Sequence, residues 1–145
     1  MIKYVYGLLI VLVLQLCLGC SSKNVAQSDQ LYYDIGAHQG IEKLVDAFVQ
    51  RIVKDKAILP YFAKSSVKHF KQGFINHLCG VVNGPCKYNG DSMIDIHTGM
   101  NINEADFNRV VELLIEAMED VDISYQSQNK ILVKLAVLRP EIIKI

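Results

Sequence analysis

The sequence has no excess of charge of either sign. Its 145 residues contain 15 Lys and Arg against 15 Asp and Glu, and the first nineteen residues include only one charged side chain, Lys3. Proteins that bind nucleic acid usually carry a basic excess, so we expect no nucleic-acid partner. The chain also lacks the apolar–polar alternation of a half-buried strand and has no internal repeat. Both absences argue against a β-rich or repetitive architecture.

The N-terminus differs from the rest of the chain. Residues 5–18 carry no charge and only Gln15 as a strongly polar side chain, which is typical of an export signal. The run is shorter than the about 20 residues that span a membrane comfortably. We therefore interpret residues 1–19 as a lipoprotein-type signal peptide, residues 20–30 as a polar, flexible tether and residues 31–145 as one domain.

The end of the apolar run resembles a bacterial lipobox. Gly19 precedes Cys20, and Ser21 follows it. This resemblance implies a protein that is processed at Cys20 and anchored there by lipid to the outer membrane, facing the periplasm. Cys17 occupies a position where the pattern prefers leucine, so an uncleaved signal anchor is the alternative. In both cases the domain lies outside the cytosol.

The remaining cysteines form an even pair. If Cys20 carries lipid, only Cys79 and Cys86 are left in the processed chain, and an oxidising compartment favours a disulfide between them. Two free buried thiols are the alternative. Metal binding by this pair is not expected, because neither a Cys-x-x-Cys spacing nor a histidine cluster accompanies it.

Four segments show apolar residues at helical spacing, which predicts an all-α domain. Ser65 or Ser66, Asn103 and Ser124 are suitable N-caps for the last three helices, and the stretch Met93–His97 predicts one short helical turn. The predicted inward-facing residues are Ile41, Leu44, Val45, Phe48, Ile52 and Val53; Val67, Phe70, Phe74, Leu78 and Val81; Phe107, Val110, Val111, Leu114, Ile115 and Met118; and Ile131, Leu132, Leu135, Ala136 and Leu138.

Several short motifs occur in an order and spacing that resemble the group I truncated haemoglobins. The resemblance extends from Leu31 to Ile143 and implies a two-over-two helical sandwich, an abbreviated globin. The family's two glycine pairs are replaced by Gly36-Ala37 and Asn83-Gly84. The motifs are LYYDIG at 31–36, VDAF at 45–48 leading to Tyr61-Phe62, NGPCKYNG at 83–90, MIDIHTGMNI at 93–102 and LRP at 138–140.

The resemblance also implies a haem whose iron is bound by His97. A neutral imidazole is a suitable iron ligand, and the absence of a Cys-x-x-Cys-His motif favours removable haem b. His38, predicted in a glycine-flanked loop, and His69 are expected to face solvent. His77 is expected near a haem edge. The alternative is a histidine at the edge of the core whose hydrogen-bonding groups are satisfied and which does not contact haem. The full predicted haem-binding set is Phe48, Val49, Phe62, Phe70, Phe74, His77, Leu78, Tyr88, Met93, His97, Ile102, Phe107 and Val111.

The predicted distal side is apolar. Val49, Phe70 and Phe74 occupy the three positions that face the ligand, and Val49 stands where oxygen-holding family members have tyrosine. A buried donor would stabilise bound dioxygen by about 1–3 kcal/mol, so its absence predicts fast oxygen loss. The alternative is that another tyrosine, Tyr33, Tyr61 or Tyr88, turns in as the donor.

These features predict a monomeric protein that reversibly binds diatomic gases, namely oxygen, nitric oxide and carbon monoxide, as binder, carrier or sensor. The main alternative is an enzyme, either a nitric-oxide dioxygenase or a peroxidase-like one. It would need an unidentified reductase, because the chain has no GxGxxG fingerprint for a flavin or nicotinamide. A helical lipoprotein that has lost haem is the third reading, and retention of the segment around His97 argues against it.

Overall fold

A computed structural model describes residues 30–145, which contain six α-helices, two 3₁₀ segments and no strand. The all-α prediction and its four main helices are therefore confirmed. The predicted signal peptide and all of the tether except residue 30 lie outside the described residues. The helices are α1 (Gln30–Asp34), α2 (Ala37–Lys54), α3 (Val67–Val81), α4 (Met93–His97), α5 (Glu104–Asp120) and α6 (Tyr125–Ala136), and the 3₁₀ segments are Leu59–Phe62 and Arg139–Glu141.

Helix α2 is the centre of the packing. It lies mainly against α5 and then against α3, while α6 contacts both α1 and α3. The helices share one core in which the apolar stripes of all four long helices meet. None of the helices within residues 30–145 is long and apolar enough to cross a membrane. The most buried large side chains are Ile41, Leu44, Val45, Ile58, Leu78, Val82, Leu113, Met118 and Ile131.

The helix starts follow from the predicted caps. In each of α3, α5 and α6 the capping side chain accepts a hydrogen bond from a backbone N–H of the first turn, which satisfies a donor that has no partner within the helix. Ser66 accepts from the N–H of His69 (3.4 Å), Asn103 from that of Asp106 (2.9 Å) and Ser124 from that of Ser127 (3.2 Å).

Each of the two modified glycine pairs includes left-handed backbone, at both residues of the first pair and at Asn83 in the second. Gly36 has φ 89° and Ala37 has φ 54°, so alanine occupies a conformation in which its Cβ is strained. Asn83 has φ 59°, which asparagine tolerates better. Helix α2 starts directly at Ala37, so the prediction of a loop around His38 is wrong, although its side chain is exposed as expected.

Three predicted core residues are exposed instead. Val53 is 51% and Val67 is 56% exposed, and Ala136 is also exposed. Val53 follows the buried Ile52, and one residue is about 100° of helical rotation. Its side chain is therefore turned out of the stripe that Ile52 continues.

Cys79 and Cys86 form a disulfide, which confirms the predicted pair. Cys79 is fully buried near the end of α3, and Cys86 lies in the loop that leads toward α4. The close packing extends to Gly84, where a Cβ would come within 2.6 Å of both the Cys79 sulfur and the Tyr32 ring. The bond thus fixes the loop against the end of α3.

Removing the disulfide should lower the free energy of unfolding by about 2–3 kcal/mol, since so short a loop constrains the unfolded chain by that amount. Urea unfolding of the oxidised chain and of the Cys79→Ala/Cys86→Ala variant measures the difference. The control is reductant, which should shift the parent's midpoint and leave that of the variant unchanged. Two alkylatable thiols at these positions in the oxidised protein would contradict the bond.

Candidate functional site

Aromatic rings form a continuous row along α3. Phe62, from the 3₁₀ segment before α3, packs edge-on against Phe70 with ring centroids 4.9 Å apart. Phe70 stacks on Phe74 at 5.6 Å, and Phe74 stacks on the His77 ring at 6.5 Å. The row ends at Tyr88, whose ring contacts His77 at 5.1 Å. Five of the predicted haem-binding residues are therefore brought into one line.

The row is only half-buried, and so are the other predicted residues that approach from α4 and α5. Phe62, Phe70 and Phe74 pack against the core, and part of each ring stays accessible. The remaining four residues of the predicted set are buried. The half-buried ones are Phe62, Phe70, Phe74, His77, Tyr88, Met93, His97, Phe107 and Val111, and the buried ones are Phe48, Val49, Leu78 and Ile102.

His97 is the last residue of the short helix α4. Its Nδ1 lies 2.7 Å from the backbone oxygen of Met93. A carbonyl oxygen can only accept, so Nδ1 carries the proton and donates it, which leaves the lone pair on Nε2. This is the arrangement that orients a metal-binding histidine.

Helix α4 is set by its own cap. The Ser92 side chain accepts from the Asp95 backbone N–H at 3.1 Å and donates to the Asp95 carboxylate at 2.6 Å. After the helix, the Thr98 hydroxyl donates to the Ile94 carbonyl at 2.7 Å. These local bonds define the turn that carries His97, as the sequence predicted.

The other three histidines differ in their exposure. His38 and His69 are exposed, and His38 lies 3.5 Å from Glu42 on the next turn of α2. His77 is different, because burial lowers its pKa and the nearby charge of His97 lowers it further.

The three predicted distal residues lie together. Phe48 and Phe74 pack at 5.3 Å, and Val49 is buried on the same helix face. A small apolar cavity of about 70 Å³, open to solvent, has both Val49 and Phe70 in its wall. Val49, Phe70 and Phe74 thus form one apolar surface.

None of the three alternative tyrosines directs a free hydroxyl at this wall. The Tyr61 hydroxyl donates to the Asp106 carboxylate at 2.6 Å, and this bond, with burial and the Asp106 charge, raises the pKa of Tyr61. The Tyr88 hydroxyl donates to the Asp91 backbone oxygen at 2.8 Å, and burial followed by the Asp91 charge raises its pKa. Tyr33 is 65% exposed.

One contact at the site escaped the sequence analysis. The backbone N–H of Gly99 donates to the backbone oxygen of Ile145 at 3.1 Å, and that of Lys144 donates to the carbonyl of Ile102 at 3.0 Å. The end of the chain thus lies against the loop that follows His97. No motif signals this contact, because it joins residues far apart in the sequence through their backbones.

The arrangement fits a flat, apolar cofactor with one axial imidazole. Ring faces provide the apolar wall, and His97 offers an unprotonated Nε2. Within residues 30–145, no group of three or more His, Cys, Asp or Glu side chains could hold a metal ion by itself. A metal at His97 would therefore need most of its ligands from a cofactor, as in haem.

Comparisons with known proteins agree with the expected family. A family model described as bacterial-like globin matches residues 30–144. The group 1 truncated hemoglobin GlbN of Nostoc sp. (strain MUN 8820) is 32% identical over 88 residues, which cover 61% of this chain and 75% of the relative. The group 1 truncated hemoglobin GlbN of Mycolicibacterium paratuberculosis is 26% identical over 117 residues, which cover 81% and 86%.

A solved structure shows the same fold. The Fe(III) form of truncated hemoglobin from Tetrahymena pyriformis aligns with a TM-score of 0.75 at 19% identity and covers 78% of this chain and 97% of that one. The predicted two-over-two sandwich is confirmed. The chain belongs to the bacterial-like globin family and, within it, to the group 1 truncated hemoglobins.

Proposed function

We propose that this chain binds one haem b through His97 Nε2 and reversibly binds oxygen, nitric oxide or carbon monoxide at the opposite face of the iron. Membership of the globin family supports haem binding and a gas-binding role in general. The observation that carries the proposal to His97 is the hydrogen bond from its Nδ1 to Met93, which leaves Nε2 of the neutral imidazole available to bind a metal. The haem would supply the iron that coordinates the gas.

The chain's own residues would set how the gas is held. Val49, Phe70 and Phe74 would give the ligand side an apolar wall, and their side chains donate no hydrogen bond. Dioxygen gains partial negative charge at ferrous iron, whereas carbon monoxide gains little. The apolar wall therefore favours carbon monoxide and nitric oxide relative to oxygen, which loses about 1–3 kcal/mol of possible stabilisation.

The cavity beside Val49 supports access for small apolar ligands. It is open to solvent and reaches both Val49 and Phe70, and its rim includes the exposed Val53 and Val67. Its volume of about 70 Å³ is sufficient for a diatomic molecule but not for a drug-sized ligand.

The test is the visible spectrum of the purified full chain in its ferric, ferrous and carbon monoxide-bound forms after haem has been added. One haem per chain is expected, with a Soret band that shifts when the ferrous protein is exposed to carbon monoxide. The absence of a saturable Soret change on haem addition would contradict the proposal and favour a globin fold that has lost its cofactor.

We also propose that the chain is exported and anchored by lipid on Cys20 to the outer membrane, facing the periplasm. The support is the apolar run at 5–18 and the Gly19-Cys20-Ser21 sequence. Mass spectrometry of the membrane-extracted protein should find an acylated Cys20 as the first residue, and a Cys20→Ser variant should lose the acyl mass. A retained Met1 would instead indicate an uncleaved anchor.

A further inference from the structure

The end of the chain is tied to the loop that connects His97 to α5. We call residues Arg139–Ile145 the C-terminal strap. Its first part, the 3₁₀ segment Arg139–Glu141, contacts α4, and its last part makes the two backbone hydrogen bonds with Gly99 and Ile102. The strap therefore touches both the helix that ends in His97 and the loop that follows it.

The other anchor of the strap is the beginning of α5. The Arg139 guanidinium lies 5.7 Å from the centroid of the Phe107 ring, in cation–π geometry. It also lies 3.7 Å from the Glu104 carboxylate. Arg139 thus joins the strap to the first turn of the helix that the loop enters.

The structures that the strap contacts have little stability of their own. Helix α4 has five residues, far fewer than the about 12–15 that an isolated helix needs to be even marginally stable. In the following loop, Gly99 has φ 79° and Asn101 has φ 54°, so two residues occupy left-handed backbone. The loop residues Thr98, Gly99 and Asn101 are exposed, and only Ile102 is buried.

We propose that the C-terminal strap is a positioning element for His97, which holds α4 and its following loop so that Nε2 keeps a fixed distance and tilt toward the iron. The inference rests on the proposed function, since it concerns the same ligand. The argument is geometric: a short helix and an exposed loop hold the histidine, and the strap binds both from outside. Loss of the strap should loosen the imidazole without removing it.

Two variants test the strap, each made in a chain that is otherwise complete. The first stops after Ile143 and so removes the partners of Gly99 and Ile102. The second, Arg139→Gln, removes the contact with Phe107 and the Glu104 ion pair. The matched control is Arg51→Gln, because Arg51 also forms surface ion pairs with α5 residues, Glu116 at 2.8 Å and Asp120 at 2.6 Å, but contacts no part of the predicted haem site.

Two readouts separate positioning from general stability. Resonance Raman spectroscopy of the ferrous protein reports the iron–histidine stretching band, and transfer of haem to excess apomyoglobin reports the rate of haem loss. In the shortened chain we expect a shifted or broadened band. We also expect about five- to hundredfold faster haem loss, which is the size of effect that the loss of two backbone hydrogen bonds would have. Arg139→Gln should produce smaller changes in the same direction as the shortened chain. Arg51→Gln should leave the band unchanged.

Each outcome decides the proposal. An unchanged band and an unchanged haem-loss rate in either folded strap variant would overturn it, and so would an equal change in Arg51→Gln. If the shortened chain does not fold, Arg139→Gln decides by the same two readouts. A parent chain that binds no haem would overturn the proposed function as well. If the parent binds haem and the strap variants behave like it, only the strap proposal is overturned.

Discussion

His97→Ala should abolish the imidazole-coordinated haem spectrum of the purified chain. It should also weaken haem binding by more than about a hundredfold, because losing a residue that merely supports a metal ligand already costs about 10–100-fold in metal affinity. Absorption spectra and haem titrations of the ferric and ferrous proteins measure both effects.

His69→Ala is the matched control for this substitution. His69 is exposed on α3 and its side chain takes no part in the ring row, so its spectrum and haem affinity should match those of the parent. Added imidazole should restore the parent's spectrum in a His97→Gly variant, since the free base can occupy the vacated space. A His97→Ala protein with an unchanged Soret band and haem affinity would refute the assignment of the iron ligand.

Val49→Tyr should slow oxygen dissociation by about five- to hundredfold, which corresponds to the about 1–3 kcal/mol of one buried hydrogen bond. The new hydroxyl would stand on the buried face of α2 beside Phe70 and Phe74, where the wall now has no donor. The adjoining cavity of about 70 Å³ gives the larger ring some of the room it needs. Stopped-flow measurement of oxygen and carbon monoxide dissociation tests the effect, and the carbon monoxide rate should change much less.

Val49→Phe is the control for the size of the new side chain. It adds a similar ring without the hydroxyl, so any change it shares with Val49→Tyr reports packing and the remainder reports the hydrogen bond. If the parent already releases oxygen slowly and neither variant alters that rate, a donor other than the tyrosines already acts at the site. That result would favour the enzymatic alternative, which needs oxygen to be held long enough to react.

Local signals predicted most of the helical framework. Ser66, Asn103 and Ser124 cap their helices through bonds to residues only three positions away, so a short stretch of sequence contains both partners. The turn at Met93–His97 was recognised for the same reason. The prediction of a cysteine pair likewise required only composition and the expected compartment, and the structure confirms the bond.

The omissions arise where distant parts of the chain decide, whereas the error at Val53 is local. The helical rotation that places Ile52 in the core turns Val53 toward solvent. The contact of Ile145 with Gly99 joins residues 46 positions apart through main-chain atoms, which leave no mark on the side-chain pattern.

The hydrogen bond from His97 to Met93 also bears on the reduction potential of a bound iron. Its acceptor is a neutral backbone carbonyl. A carboxylate in that place would draw the Nδ1 proton and make the imidazole a more basic ligand, which donates more electron density to the metal. Stronger donation stabilises the oxidised metal and assists cleavage of oxygen–oxygen bonds. With the weaker donor present here, an iron bound by His97 would be kept ferrous more readily, a state that would suit the binding of neutral gases better than the activation of peroxide.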